Sequence, residues 1–347
     1  LLGLSMARTG LSQTLPGSKL SLLFLGGTGF IGPHQINRAL ARGHDVTMFN
    51  RGSNPGLFGD RVEELIGNRD ATIDSGLEAL QGNRTWDVVI DNSGYVPRHV
   101  RDSARLLKGR VGRYVFTSTT SVYDFDKTPS VTHQSPLHDS FPQTEEVSGE
   151  TYGPLKAECD LIVQDTYGDA ATIVRPTVIV GPGDRTDRFT YWVDRCHRGG
   201  DIVCPPDPER EAAWIDARDL CHWLISLAEE DVSGIFNAAG PASPMNHEQV
   251  MHGFRAFSAA PAKLHWPSRE LVDELNFNAP WFWRGNQSRH IDAGASVAAG
   301  MTYRSLAETI KDTHEWWISQ PIERRANARG WPTAAEERAL LGRMGIG

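Results

Sequence analysis

The chain has 347 residues, 39% of them hydrophobic and 22% charged, with a formal net charge of −8. That length accommodates one large core, or a large domain with a smaller lobe. The acidic balance gives no electrostatic reason to expect a nucleic-acid or membrane partner, and no run of eighteen apolar residues marks a transmembrane helix.

Residues 1–18 pass from an apolar start to a polar run and read as a disordered leader, with a trimmed export signal as the alternative. The expected localisation is therefore cytoplasmic, or exported on the second reading. The stretch Leu22–Gly32 (LLFLGGTGFIG) is an apolar strand turned sharply into a helix. Gly26, Gly29 and Gly32 stand at G-x-x-G-x-x-G spacing. In that pattern the first allows a tight turn, the second lets the backbone approach a pyrophosphate, and the third lets the helix pack closely. The N–H groups that open the helix, at Phe30 and Ile31, would receive the anion.

The helix is expected from Phe30 to Arg42, with Gly43 as its stop. Strands follow at Asp45–Phe49, Val62–Ile66, Trp86–Ile90, Arg113–Thr117 and Ala171–Val174. Helical spacing lies between them at Leu77–Leu80, Val100–Leu107 and Thr151–Tyr167. Such alternation predicts an α/β fold, a Rossmann-type doubly wound parallel sheet over residues 19–180. Beyond Gly181-Pro182-Gly183 the alternation loosens. Residues 181–320 are expected to form a smaller substrate lobe without a core of its own. Its elements are Phe189–His197, Ile202–Cys204, Asp216–Glu229, His247–Phe257 and Ser305–Trp317, with Ile235–Asn237 returning to the sheet. Residues 321–347 read as a charged surface helix. Cys159, Cys196, Cys204 and Cys221 form no C-x-x-C pair and read as buried thiols.

Tyr152 and Lys156, four apart on one helix, share a face. A phenol is a poor acid or base at neutral pH, and a neighbouring ammonium lowers its pKa. Tyr152 could then pass a proton to or from a substrate oxygen while a dinucleotide moves hydride. Tyr123 and Lys127 have the same spacing, but Thr128-Pro129 follows and a helix is not expected there. Ser118, Thr119, Thr120 and Ser121 follow the fifth strand, where ligands bind in parallel sheets; spacing alone does not choose among them.

With these pieces in this order, the chain resembles the extended short-chain dehydrogenase/reductases, the NAD-dependent epimerases and dehydratases. The resemblance runs from about Lys19 to Trp317 and includes Asp91–Gly94, Phe116–Tyr123, Tyr152–Glu158, Arg175-Pro176 and Ile215–Leu220. It implies a Thr119–Tyr152–Lys156 triad, with Asn92, Ser93 and Gly94 beside the cofactor and Lys156 on its ribose. By analogy it also implies a homodimer.

The family's acidic residue at the end of the second strand is replaced by Asn50, followed by Arg51, which favours NADP(H) over NAD(H). Asn68 stands where an aspartate commonly meets the adenine, and its amide can still hydrogen-bond. The asparagine that touches a nucleotide-sugar diphosphate is a valine within Thr177–Val180. The segment Asp184–Trp192 mixes polar groups with aromatic faces. Arg185, Arg188, Tyr191 and Trp192 are therefore candidate substrate contacts, with a helix start bearing an apolar face as the competing reading. Trp281-Phe282-Trp283 reads as a lobe packing cluster or a pocket wall. His133, His138, His197 and His222 lack metal-site context, and no metal is expected.

The expected function is an NAD(P)-dependent oxidoreductase or epimerase acting at a carbonyl or secondary alcohol of a small, sugar-like molecule. The alternative is a non-catalytic dinucleotide- or RNA-binding protein that reuses the fold.

Overall fold

β1 (Ser21–Leu25) has four of its five residues fully buried, because parallel strands covered on both faces need apolar side chains on each. The computed structural model describes residues 18–280 and 290–346. Residues 1–17 of the leader and the Trp281-Phe282-Trp283 cluster lie outside the described residues.

In chain order β1 leads to α1 (Gly32–Ala41), β2 (Asp45–Asn50), β3 (Glu63–Ile66), β4 (Trp86–Asp91), α2 (Pro97–Leu107) and β5 (Val111–Thr117). A two-residue β6 (Ser130–Val131), α3 (Tyr152–Tyr167), β7 (Ala171–Pro176), β8 (Val178–Val180) and α4 (Arg188–Arg198) come next. Then follow β9 (Gly200–Val203), β10 (Glu211–Asp216), α5 (Ala217–Glu229) and β11 (Gly234–Ala238). Seven of the strands make one parallel sheet in the order β11-β7-β5-β4-β1-β2-β3. The order reverses at β1, between β2 and β4, and that reversal opens the crevice into which the glycine turn projects. The expected Ile235–Asn237 return is the seventh strand, paired with β7. Leu77–Leu80 supplies only one short turn, Glu78–Leu80.

Apolar clusters cover both faces of the sheet. One joins Leu22, Phe24 and Ile36 to Trp223 and Leu224 of α5, and the other joins Leu23 and Leu25 to Val100, Phe116 and Val163. The lobe differs from expectation. It has a substantial cluster of its own, built from Phe189, Trp192, Cys196, Trp214, Phe254 and Ile310. The tail is two helices, Ile322–Ala326 and Ala334–Arg343, and the second buries Leu340 and Leu341 in that cluster. Its charge pattern suggested a surface helix because its few apolar side chains sit together on one face. All four cysteines are buried and free. Among the described residues no helix is long and apolar enough to cross a membrane.

Candidate active site

Gly26 turns the chain out of β1 at φ +80°, a conformation that side chains rarely adopt, and a Cβ there would press on Ser93. Above Gly29 the space is open for 4 Å, so its backbone can be approached. Gly32 lies so close to Gly27 that a Cβ would meet the Gly27 carbonyl at 2.4 Å. Sequence reasoning missed Gly27, which packs on Met48 and Ile36 and seats α1 on β2. α1 begins with no side-chain cap and no acidic residue in its first turn, leaving its opening N–H groups to an anion from outside.

The resulting cleft, about 620 Å³, is lined by Gly26, Gly29, Phe30, Ile31, Gly32, Asn50, Arg51, Asn68, Asn92, Ser93 and Lys156, all of them expected at a dinucleotide. The structure therefore brings together residues from the ends of β1, β2, β3 and β4 and from α3. Gly94 is the exception. It is buried beneath the cleft, where a Cβ would strike Phe116 and Val100, and its carbonyl accepts a hydrogen bond from Lys156. Two of the amides are committed to the scaffold. Asn92 exchanges hydrogen bonds with Gln35 of α1 and accepts one from Thr117. Asn50 donates to Glu64 and accepts from the Gly52 N–H, which fixes the turn that presents Arg51. Arg51 is exposed and, among the described residues, carries no hydrogen bond or ion pair with protein.

Arg69 also lines this cleft but is neutralised. It makes a two-pronged pair with the fully buried Asp91 (2.6 and 3.0 Å), which also accepts from the Tyr114 hydroxyl at 2.6 Å. Burial pushes the Asp91 carboxyl up, but the Arg69 charge and these hydrogen bonds bring it below the usual carboxylate value. Nothing in the sequence spacing linked residues 69, 91 and 114.

Tyr152 opens α3, and Lys156 follows one turn later. Lys156 is buried, with Nζ donating to the Gly94 carbonyl at 2.7 Å and the Thr117 carbonyl at 2.8 Å and lying 4.0 Å from the Phe116 ring centroid. Burial lowers its pKa. The sequence reading had Lys156 lowering the pKa of Tyr152. Burial dominates instead and pushes the phenol up to about 12, while Thr119, through a hydrogen bond, and the charge of Arg188 pull it down. The Thr119 hydroxyl accepts from the Ser121 N–H at 3.1 Å, and its single proton, directed at Tyr152, is the one it can offer to a substrate oxygen there.

The approach of α3 to Thr119 depends on Gly153, which the sequence reading passed over. A Cβ at that position would sit 2.3 Å from the Ser121 carbonyl. Gly153→Ala is expected to push the helix start off the Thr119–Ser121 turn and lower turnover by at least about tenfold, with dinucleotide affinity retained. Steady-state kinetics beside a binding titration would check this.

A second cavity of about 400 Å³ adjoins the first. It is lined by Thr119, Tyr152, Thr177, Asp184, Arg188 and His247 among others, and the two share Phe30, Tyr95, Ser118, Tyr152 and Ile179. Arg188 lines this cavity. Tyr191 and Trp192 do not, and the expectation is corrected: both are buried in the lobe cluster. Tyr191 donates to Glu337 of the tail and Trp192 to the Pro280 carbonyl. The cause is the apolar face of α4, Phe189, Trp192, Val193 and Cys196 at helical spacing, which turns into the lobe. Arg185 reaches the dinucleotide cleft instead of the substrate cavity. Tyr123 is tied to Asn237 and Arg175, apart from any helix with Lys127. Among the described residues no cluster of three or more His, Cys, Asp or Glu could hold a metal.

Comparisons with known proteins agree with this architecture. A dTDP-4-dehydro-6-deoxy-D-allose reductase of Streptomyces bikiniensis is 24% identical over 252 residues, covering 63% of this chain and 76% of that protein. The chloroplast stem-loop binding protein of 41 kDa b from Arabidopsis thaliana is 26% identical over 243 residues, covering 64% of this chain but only 59% of that protein. The fold matches the crystal structure of UDP-glucuronic acid 4-epimerase from Bacillus cereus in complex with NAD, with a TM-score of 0.65 at 15% identity. That match covers 88% of this chain and 99% of the other. The model of the NAD-dependent epimerase/dehydratase family matches residues 22–239, from β1 through the glycine turn and α3 to β11. The chain belongs to the NAD-dependent epimerase/dehydratase family.

Proposed function

We propose that the protein is an NADP(H)-dependent enzyme that moves hydride at a carbonyl or secondary alcohol of a sugar-like substrate, with Tyr152 as proton donor and acceptor. The observation that supports this reading is the junction of the two cavities: Tyr152 lines both the dinucleotide cleft and the polar cavity beside it. The sugar-like substrate class draws on the named activities of the reductase and the epimerase above.

When bound, the nicotinamide supplies or accepts the hydride. The open N–H groups of α1 would hold the pyrophosphate and Arg51 would meet a 2′-phosphate. Lys156 spends two of its three N–H groups on Gly94 and Thr117, leaving one for the nicotinamide ribose. In the reducing direction Tyr152 gives its proton to the substrate oxygen, toward which Thr119 donates a hydrogen bond. In the oxidising direction the proton returns to Tyr152.

Arg51→Ala is expected to weaken NADPH binding by about ten- to a hundredfold and leave NADH binding within twofold, read by fluorescence titration. The dinucleotide that co-purifies tests the wider reading. Exchangeable NADPH fits a reductase, whereas tightly retained NAD fits epimerisation with returned hydride and contradicts the role given to Arg51. Salt-dependent RNA binding with no dinucleotide retained would favour the non-catalytic binding alternative instead.

A further inference from the structure

Arg185 sits on the loop that leaves β8 and enters α4, the same loop that brings Asp184, Thr186 and Arg188 to the substrate cavity. Gly181 (φ +120°) and Gly183 (φ +92°) let the chain reverse there, and the His34 ring N–H donates to the Pro182 carbonyl at 2.8 Å, pinning the loop to α1. The Asp184 carboxylate accepts from the Thr186 N–H and hydroxyl at 2.8 and 2.7 Å, which holds the turn closed. The Arg185 side chain consequently crosses back over the glycine turn. Its Nη2 donates to the Thr28 carbonyl at 2.9 Å, a contact between residues 157 apart in sequence.

The guanidinium lines the dinucleotide cleft on one side. On the other it lines a hollow of about 420 Å³ formed with Gly29 and Phe30 of the glycine turn, His34 of α1 and Gln320. It is a bar across the mouth of the cofactor site. Its charge is unanswered: among the described residues its one hydrogen bond goes to a neutral carbonyl, and no carboxylate pairs with it. Two neighbouring arginines are neutralised, Arg69 by Asp91 and Arg324 by Asp187, whereas Arg51 at the β2 side of the cleft is unpaired like Arg185. An unpaired guanidinium facing the positive end of α1 is electrostatically incomplete until an anion lies between them.

We propose that Arg185 is a pyrophosphate strap, exchanging the Thr28 carbonyl for phosphate oxygens of the bound dinucleotide and closing the cleft from the substrate side. This rests on the cleft being a dinucleotide site. It adds that the loop carrying the substrate-cavity residues is itself held by the cofactor, so the cofactor orders both cavities.

The test is the dissociation rate of NADPH and of NADH from the full-length protein and from its Arg185→Ala, Arg185→Lys and Arg51→Ala variants, followed by stopped-flow fluorescence. Both nucleotides carry the pyrophosphate. Arg185→Ala is therefore expected to speed their release by the same factor, about tenfold or more, and Arg185→Lys is expected to recover part of it. Arg51→Ala should affect NADPH alone. The thermal midpoint of ligand-free Arg185→Ala is expected to match the wild type, because the side chain is exposed. Release within twofold of wild type, or faster release of NADPH only, would overturn the strap. A wild-type protein that binds neither nucleotide would instead overturn the dinucleotide reading on which the strap rests.

Discussion

Tyr152→Phe is expected to lower turnover by a factor of about 10²–10⁴, the usual span for a positioned acid or base, while NADPH affinity stays within about twofold. The substitution removes one oxygen from the junction of the two cavities and leaves the ring in place. Burial pushes the phenol up to about 12, so it is protonated at neutral pH. The sign for each direction follows. Reduction needs the protonated phenol and should stay level through neutral pH, declining only as the pH approaches the tyrosine pKa. Oxidation needs the deprotonated form and should accelerate as pH rises. Opposed profiles in wild type, with both lost in Tyr152→Phe, are the expected pattern in initial-rate measurements at saturating cofactor. Parallel profiles would point to a different proton carrier.

The largest expected effect on stability lies beneath the cofactor cleft. Asp91→Ala leaves the Arg69 guanidinium, within a site where Asp91 is fully buried, without its carboxylate, and Tyr114 without its acceptor. Breaking one side of a buried pair costs about 3–5 kcal/mol, and urea denaturation should show a matching fall in midpoint. The Asp91 pKa is depressed in the folded protein, so its stabilisation is present above the unfolded carboxylate value of about 3.9 and is lost as pH falls through the lower folded value. The difference between wild type and Asp91→Ala should therefore narrow in acid. Replacing both partners with apolar residues is expected to cost less than Asp91→Ala alone, because no unpaired charge remains. Because Ser93 accepts from Arg69 and packs on Gly26, loss of the pair should also loosen the glycine turn and weaken cofactor binding.

The parts of the molecule legible in the sequence are those that local chemistry dictates. An apolar strand followed by spaced glycines can do little other than turn into a helix, and Leu22–Gly32 does so. The i, i+4 spacing put Tyr152 and Lys156 on one face because α3 begins at Tyr152. Tyr123 and Lys127 failed to share one for the reason the proline signalled. What stayed hidden depends on distant partners. Arg185 looked like a substrate contact because its neighbourhood is polar, and Asp184, Thr186 and Arg188 do line the second cavity; the reversal at Gly181 and Gly183 sends Arg185 alone to Thr28. Tyr191 and Trp192 follow the competing reading of the segment, a helix whose apolar face turns into the lobe. The tail seemed peripheral because nothing in its own residues reveals that Arg324 and the Arg329 N–H fasten to Asp187, itself fully buried at the start of α4.

The claim that Tyr152 works beside a bound NADP(H) is tested most directly by isotope transfer. The protein would be incubated with NADPH deuterated at the reactive carbon of the nicotinamide and a panel of ketosugars, both free and linked to nucleoside diphosphates, with products read by mass spectrometry. The account predicts deuterium in a reduced sugar with the wild-type protein and none above background with Tyr152→Phe. Equal incorporation by Tyr152→Phe would contradict it.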